Sequence, residues 1–400
     1  MGKRTSDDLE FEDDILGEQE AEEVPAQDFR NVVVSSSDWT VETLLAQLER
    51  ANIDLSPKFQ RRDAWSLARK SRFIESLILG FPIPQVVLAE SKERKGAFII
   101  LDGKQRLLTL LQFAGKAEGP NSGFALQGLE AYRGLNDATF ESLKGDARRG
   151  DDIEALLNST VRSVVIKNWP STDFLHLLFV RLNTGSVPLS PQELRQALFP
   201  GPFVDFVFDR ASESATLREI LGTSEPDFRM RDVELLVRFL GFACFLPSYS
   251  GNMRGFLDAT CKTLNSDWDK RRGEIKKKLQ AFEDAMEASK LIFGPTGFLR
   301  KWTGTSYERR PNRAILDIMG YYLSHDAVRK AALRKKTFVV RAYKNACDRN
   351  ASFRRSIETT TKSLDATYSR LSIWGKILSR VLAKKIAVPR WKKDERRIVG

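Results

Sequence analysis

The pattern of apolar and polar positions changes near residue 200. Before that point, short apolar or β-branched runs alternate with stretches in which apolar residues recur every three or four positions, which predicts strands mixed with helices. After about residue 203 the helical stretches become long, and strand patterns almost disappear. The sequence therefore predicts an α+β protein, with an α/β domain over residues 31–200 and a mostly α-helical domain over residues 201–400.

The first domain shows clear boundaries for individual elements. Helices are predicted at 40–49, from a cap at Ser66 to an end at Gly80, at 107–114, near 137–143 as a short helix, at 172–182, and from Ser190 onward. Strands are predicted at 86–89, 97–101 and 161–166. Ser190 and Glu193 have the spacing of a capping box, with Pro191 at the first helical position. In the second domain, residues 232–245, 267–292, 312–323 and 362–382 carry helical apolar stripes.

The N-terminal residues differ in composition from the rest of the chain. Residues 1–28 hold eleven Asp and Glu against Lys3 and Arg4, which predicts a disordered acidic leader over residues 1–30. The leader has no apolar core of a secretion signal, and no run approaches the ~20 apolar residues of a membrane helix. Three scattered cysteines fit a reducing compartment. We therefore expect a cytoplasmic protein with no membrane segment.

The charge of the chain is strongly asymmetric. The net charge is +11, and the leader contributes −9, so the remaining residues carry +20. Basic residues concentrate in the runs 270–278, 329–336 and 384–397 of the second domain. Such runs can simply keep helices solvated, but the last two contain few acids, which favours DNA as a partner.

The stretch from Phe98 to Phe113 carries the candidate chemistry. A buried strand is followed by an Asp-Gly turn and then by leucines at helical spacing, which places Asp102, Lys104 and Arg106 where a strand leads into a helix. Unpaired N–H groups and the helix dipole at such a point favour a phosphate, and the two cations add to this preference. Asp102 would hold a metal, orient water or pair with the cations. The alternative is that Asp-Gly is only a turn.

Three motifs follow one another in the first domain and together resemble the DUF262 family, the N-terminal domain type of GmrSD-like modification-dependent restriction enzymes. The motifs are Phe59-Gln-Arg-Arg-x-x-Trp65, Ile100-Leu-Asp-Gly-Lys-Gln-Arg-Leu-x-Thr-Leu110 and Phe179-x-x-Leu-Asn-Thr-Gly-x-x-Pro-Leu-Ser190. The resemblance covers roughly residues 35–200. It implies a ParB/sulfiredoxin-like fold in which a D-G-Q-Q-R-type motif binds a nucleotide and supports NTP hydrolysis or DNA nicking.

The resemblance carries site roles onto this sequence. Asp102, Gln105 and Arg106 are the expected catalytic residues, and Gln60, Arg61, Gly103, Lys104 and Asn183 are expected to bind the nucleotide. Arg61, Lys104 and Arg106 would contact phosphates, Asp102 would hold Mg²⁺ or Mn²⁺, and Gln60, Gln105 and Asn183 would orient the reacting groups. Lys104 stands where the family usually has Gln. Trp65 would either stack on a base or pack in the core.

Two activities seen on related architectures are not expected. An HNH nuclease depends on histidines, but neither His176 nor His325 lies in the C-terminal basic runs. A sulfiredoxin-type reductase needs a cysteine at the motif loop, where none stands. The leading hypothesis is a DNA-associated NTPase of a bacterial anti-phage or restriction system. A non-catalytic DNA-binding or regulatory module and a metal-dependent nickase stay open, as do a partner nuclease subunit and a homo-oligomer.

Overall fold

The computed structural model describes residues 30–55, 63–118, 121–182, 190–358, 362–392 and 397–399. These residues form two compact units, which divide between Leu198 and Phe199. The N-terminal unit combines a sheet with helices, and the C-terminal unit is built almost entirely of helices. The protein is therefore of the α+β class.

The N-terminal unit contains four strands and seven α-helices among its described residues. The strands are β1 (Val33–Thr40), β2 (Val86–Glu90), β3 (Phe98–Asp102) and β4 (Thr160–Lys167); the helices are α1 (Val41–Glu49), α2 (Leu67–Ile78), α3 (Lys104–Phe113), α4 (Phe140–Gly145), α5 (Gly150–Asn158), α6 (Thr172–Leu182) and α7 (Pro191–Leu198). Local sequence explains where several begin. Thr40 and Ser66 cap α1 and α2 by accepting hydrogen bonds from Thr43 N and Arg69 N.

The four strands form one mixed sheet in the order β1-β4-β2-β3. β4 runs antiparallel to β1 and parallel to β2, and β2 runs antiparallel to β3. Side chains that alternate along each strand point to opposite faces. Val86 and Leu88 of β2 therefore join the main apolar core with α1, α2, α3 and α5, while Val87 and Ala89 are buried on the opposite face. α6 and α7 pack against β3.

The C-terminal unit contains ten α-helices and one small hairpin among its described residues. The helices are α8 (Pro202–Glu213), α9 (Ala215–Leu221), α10 (Arg231–Phe245), α11 (Met253–Ser266), α12 (Trp268–Gly297), α13 (Arg313–Leu323), α14 (Asp326–Arg334), α15 (Lys336–Arg349), α16 (Ala351–Glu358) and α17 (Leu364–Leu382); the strands are β5 (Arg390–Lys392) and β6 (Arg397–Val399). α12 is broken at Gly294, whose backbone is not helical. α10 is buried along most of its length and packs against α8, α11, α12 and α13.

A buried ion network joins three helices of the C-terminal unit. Asp317 on α13 accepts two hydrogen bonds from Arg238 of α10, at 2.7 and 2.8 Å, and one from Arg370 of α17 at 2.7 Å. All three side chains are at most 5% exposed. Burial alone raises the pKa of Asp317, but the charges and hydrogen bonds of the two arginines outweigh it and hold the pKa below its ordinary 3.8.

Several differences from the sequence expectations have clear physical reasons. The basic run 384–397 was expected on a helical face, but α17 ends at Leu382, where Ala383 adopts a left-handed conformation, and the run continues into the β5–β6 hairpin. The sequence predicts no strand over residues 33–40, because most of these residues are polar, yet β1 forms there. The short helix expected near 137–143 begins at Phe140, after a 3₁₀ turn at Arg133–Leu135.

Within the described residues, no single helix is long and apolar enough to cross a membrane. The segments Arg231–Ser248 and Met253–Ser266 meet that standard only as a pair bent by 98°.

Replacing Asp317 by Asn should destabilise the C-terminal unit by about 3–5 kcal/mol at neutral pH, because two buried guanidinium groups lose their counter-charge. Urea unfolding followed by circular dichroism measures this. Since the pKa of Asp317 is lowered, the difference from wild type should shrink as the pH falls below 3.8. The control is Asp269→Asn at an exposed position of α12, expected to change stability by less than about 0.5 kcal/mol. Equal effects of the two substitutions would contradict the role of the network.

Candidate functional site

The turn between β3 and α3 requires a glycine. Gly103 adopts φ +96° and ψ 9°, in the left-handed region that residues with a side chain avoid. A Cβ atom built there would lie 2.9 Å from Val86 Cγ2 and 3.3 Å from Val86 Cα on the neighbouring strand. The turn is therefore held close against β2, and α3 begins at the end of β3, as the sequence predicts.

Asp102 and Arg106 form an ion pair across this turn. Arg106 Nη2 donates to Asp102 Oδ2 at 3.1 Å and to the carbonyl oxygen of Gln85 at 2.8 Å, while Gly103 N donates to Asp102 Oδ1 at 2.7 Å. Arg106 is buried, whereas 21% of the Asp102 side chain is exposed. Of the three roles expected for Asp102, the structure therefore shows the pairing with a cation. The Nε atom of Arg106 is buried and has no hydrogen-bond partner among the described residues.

Lys104 forms a second, more deeply buried ion pair. Its Nζ atom binds Glu193 Oε1 on α7, and both side chains are at most 5% exposed. The other carboxylate oxygen of Glu193 accepts a hydrogen bond from Ser190 N at 2.7 Å, and Glu193 N donates to Ser190 Oγ at 3.1 Å. This reciprocal pair is the capping box expected from the sequence. The pairing of Glu193 with Lys104 could not be read from the local pattern, because 89 residues separate the two side chains.

Gln105 attaches a distant segment to the first turn of α3. Its Oε1 atom accepts a hydrogen bond from Ala64 N at 3.3 Å. Two helical turns later, Gln112 Nε2 donates to Asp63 Oδ2 at 3.0 Å. Asp63 also pairs with fully buried Lys70 of α2. Gln105 was expected to orient a nucleotide, and here its amide oxygen positions the chain at Asp63–Ala64.

Trp65 packs against the apolar core. Its ring meets Phe73 edge to face at a centroid distance of 5.8 Å, and the guanidinium of Arg69 lies 4.6 Å from its centroid. Of the two roles considered for this residue, the core contact is the one observed.

A small, partly open pocket adjoins the Lys104–Glu193 pair. Its walls are mostly apolar, with the ion pair and one further carboxylate as polar groups. The lining residues are Asp54, Leu55, Phe98, Ile99, Ile100, Lys104, Glu193 and Ala197. An apolar cavity with a few fixed charges is the usual form of a small-molecule site.

Three predicted site residues, Gln60, Arg61 and Asn183, lie outside the described residues. The described chain on both sides of Gln60 and Arg61, and on the C-terminal side of Asn183, nevertheless approaches the first turn of α3. Leu55 lines the pocket beside Lys104, Ala64 is bonded to Gln105, and Ser190 is bonded to the carboxylate that holds Lys104. The flanks of the first and third motifs therefore meet the second motif, although the roles of these three residues stay predictions.

A metal site made only of protein groups is not found in the described part of the chain, where no three His, Cys, Asp or Glu side chains cluster suitably. This does not conflict with Mg²⁺, which is commonly bound by one or two carboxylates together with substrate phosphates and water. The partly exposed carboxylate of Asp102 fits such a role when phosphates supply the remaining ligands.

Comparison with known proteins gives a match, over residues 41–200, to the family described as the GmrSD restriction endonuclease, N-terminal domain. The matched range begins at α1, ends two residues beyond α7 and includes all three sequence motifs. A search of curated proteins and a search of solved structures each found no match.

Replacing Gly103 by Ala should destabilise the N-terminal unit by about 2–4 kcal/mol, the sum of backbone strain and the overlap with Val86. Gly115→Ala is the matched control, because Gly115 has φ +70° but no atom within 4 Å of the position that a Cβ would occupy. The control should lose only about 1–2 kcal/mol of stability, because it adds backbone strain without any overlap. Denaturant midpoints compare the two. Equal losses of stability in the two variants would show that the overlap with Val86 contributes nothing to the effect of Gly103→Ala.

Proposed function

Because residues 41–200 belong to the GmrSD restriction endonuclease N-terminal domain family, we propose that this chain acts in a restriction or anti-phage system and that its N-terminal unit binds and hydrolyses a nucleoside triphosphate. The observation that carries the proposal is the convergence of two distant chain segments on the first turn of α3. Ala64 approaches through Gln105, Ser190 through Glu193, and both bonds end at the helix N-terminus. A helix N-terminus beside cations favours phosphate groups.

The two ion pairs suggest how the site responds to a nucleotide. Each pair is electrically neutral: Asp102 balances Arg106, and Glu193 balances Lys104. An incoming phosphate must therefore replace the carboxylate partner of at least one of these cations. Arg106 is the better placed of the two, because its neighbour Asp102 is partly exposed and its Nε atom still lacks a partner among the described residues. Transfer of Arg106 to a phosphate would release the Asp102 carboxylate.

The released carboxylate defines the proposed chemistry. Asp102 would then hold a Mg²⁺ or Mn²⁺ ion shared with the phosphates, and the cation would neutralise charge on them. In hydrolysis a water attacks the γ-phosphorus, the bond to the β–γ bridging oxygen breaks, and a nucleoside diphosphate and phosphate leave. Arg106 stabilises the charge on the phosphate oxygens, and Lys104, which stays paired with Glu193, holds the first turn of α3 in place beside them. Gln105, Gln60 and Asn183 are the proposed orienting amides, and Gly103 and Arg61 complete the nucleotide site.

DNA binding by the C-terminal unit is the second proposed function, and a specific observation favours it. Two basic runs that are far apart in sequence meet in this unit. Lys384 Nζ donates to Ala327 O of α14 at 3.4 Å, and Lys335 Nζ donates to Val381 O at the end of α17 at 3.1 Å. Residues 329–400 contain 21 Lys and Arg but only five Asp and Glu. A surface of this charge suits a phosphate backbone.

The basic surface also carries an exposed aromatic ring. Phe338 on α15 is 56% exposed, and the guanidinium of Arg341 lies 5.2 Å from the centre of its ring. An exposed ring among cations is a common feature of surfaces that contact nucleotide bases. By contrast, the basic run on α12 is partly compensated, because Glu274 pairs with Arg271 and Lys278.

The nucleotide proposal is tested by titrating the full chain with ATP, GTP and CTP in the presence of Mg²⁺ while phosphate release is followed. Asp102→Asn should lower the turnover at least tenfold and leave measurable binding, because it removes the carboxylate and keeps the side-chain shape. Arg106→Lys should weaken binding at least tenfold, since a lysine cannot reproduce the guanidinium fork. Asp146→Asn, which breaks an exposed Asp–Arg pair of the same unit, should change neither.

Absence of saturable binding to all three nucleotides would refute the nucleotide site. If wild type and Asp102→Asn both bind a nucleotide but neither releases phosphate above background, the proposed NTP hydrolysis is refuted. The N-terminal unit would then be a ligand-sensing module. Relaxation of supercoiled plasmid by the wild type, lost in Asp102→Asn, would instead identify the site as a nickase.

The DNA proposal is tested by anisotropy of a labelled duplex at several salt concentrations. The triple variant Arg334→Ala, Lys336→Ala and Lys384→Ala should flatten the plot of log affinity against log salt by about 0.9 for each phosphate contact removed. The control removes the same charge from α12 with Arg272→Ala, Lys276→Ala and Lys277→Ala, and its slope should change by less than about 1. Equal slopes for the two triple variants would mean that only net charge matters.

A further inference from the structure

Strand β1 is an edge of the four-stranded sheet with a regular backbone. It pairs with β4 through eight consecutive antiparallel pairs, from Val33 with Lys167 to Thr40 with Thr160, and the register never shifts. Every second residue of an edge strand points its N–H and C=O groups away from the sheet. Among the described residues no strand pairs with this side of β1.

The side chains of β1 are exposed on both faces. Residues 33–38 are all exposed, including Val33 at 48% and Val34 at 63%, and only Trp39 and Thr40 are half-buried. Its neighbour β4 shows the usual alternation over residues 160–164, where Val161 and Ser163 are buried between more exposed residues. A strand with two exposed valines and an open edge leaves apolar surface and backbone groups that a second strand can cover.

Features that normally protect an edge strand are missing from β1. It contains no proline, no lysine and no bulge. Its single charged residue, Asp38, is neutralised by Arg162 of β4, whose Nε atom donates to it at 2.7 Å. The opposite edge of the sheet, by contrast, carries a bridge between Ile53 and Phe98 of β3.

We propose that β1 pairs with β1 of a second copy of this chain, so that two sheets join into one continuous eight-stranded sheet. A two-fold axis perpendicular to the sheet makes the two strands antiparallel and keeps each face on its own side. Opposed residues lie on the same face of the sheet, so both must have odd numbers or both must have even numbers. The proposal does not depend on nucleotide or DNA binding.

The exposed residues select the register. Placing the axis at Ser36 sets Ser36 of one copy opposite Ser36 of the other and overlaps seven residues, 33–39. Val33 then packs beside Trp39 of the other copy, on the face where Trp39 contacts Phe98. Asp38 faces Val34, so no like charges oppose each other. Placing the axis at Ser37 also overlaps seven residues but leaves Val33 outside the pairing.

The first measurement is the mass of the full chain in solution by light scattering after gel filtration at tens of micromolar. Wild type should have twice the 45.4 kDa of one chain. Ser36→Lys should give 45.4 kDa, because it sets two lysines against each other at the axis without changing any buried residue. Ser36→Thr, which favours strands, should remain a dimer. A monomeric wild type, or a dimer that Ser36→Lys leaves intact, would overturn the proposal.

A cysteine cross-link tests the register separately. In a chain carrying Cys244→Ser, which removes the most exposed of the three thiols, Ser36→Cys should form a covalent dimer under mild oxidation. Directly opposed strand residues have Cα atoms within the range that a disulfide spans. Ser35→Cys is the control, because its two copies would lie about 8 Å apart between Cα atoms, too far for a disulfide. Equal cross-linking of the two variants would overturn the proposed register.

Discussion

The close approach of the β3–α3 turn to strand β2 is the constraint on which the candidate site depends. Gly103 allows this approach, since its left-handed backbone and lack of a side chain leave room beside Val86. The helix N-terminus is thereby placed within reach of Gln85, whose carbonyl oxygen accepts a hydrogen bond from Arg106. A helix that began further from β2 would lose that bond and with it the fixed position of the Arg106 side chain. The geometry of the candidate site therefore depends on how the β3–α3 turn packs against the sheet.

Both units contain buried ion pairs, but these pairs differ in how far they are exposed to solvent. In the C-terminal unit, Asp317 is enclosed by two arginines and is almost fully shielded from solvent, so the network acts as a structural tie between helices. In the N-terminal unit, Asp102 keeps contact with solvent beside buried Arg106. A pair with one partner at the surface can exchange that partner for a ligand at a modest desolvation cost, whereas a fully buried pair cannot. This difference separates a structural network from a candidate binding site.

The division of charge follows the division into units. Most of the net positive charge of residues 29–400 lies after residue 328, where α14, α15 and the end of α17 bring separate basic runs together. The N-terminal unit keeps its cations near the site largely paired, which suits selective binding of one small anion rather than attraction of a polymer. The proposed coupling of a nucleotide to DNA would need both kinds of surface, and the two kinds lie in different units.

The amino-acid sequence alone predicts the features that depend on near neighbours. Helix caps at Thr40, Ser66 and Ser190, the strand–turn–helix order around Asp102 and the family of residues 41–200 all rest on short spacings and local backbone preference. The partners of the cations depend on the folded chain, since Glu193 reaches Lys104 across 89 residues. The meeting of the basic runs and the formation of strand β1 also depend on contacts between distant segments. That strand has no apolar alternation, so pairing with β4 rather than any local pattern holds it extended.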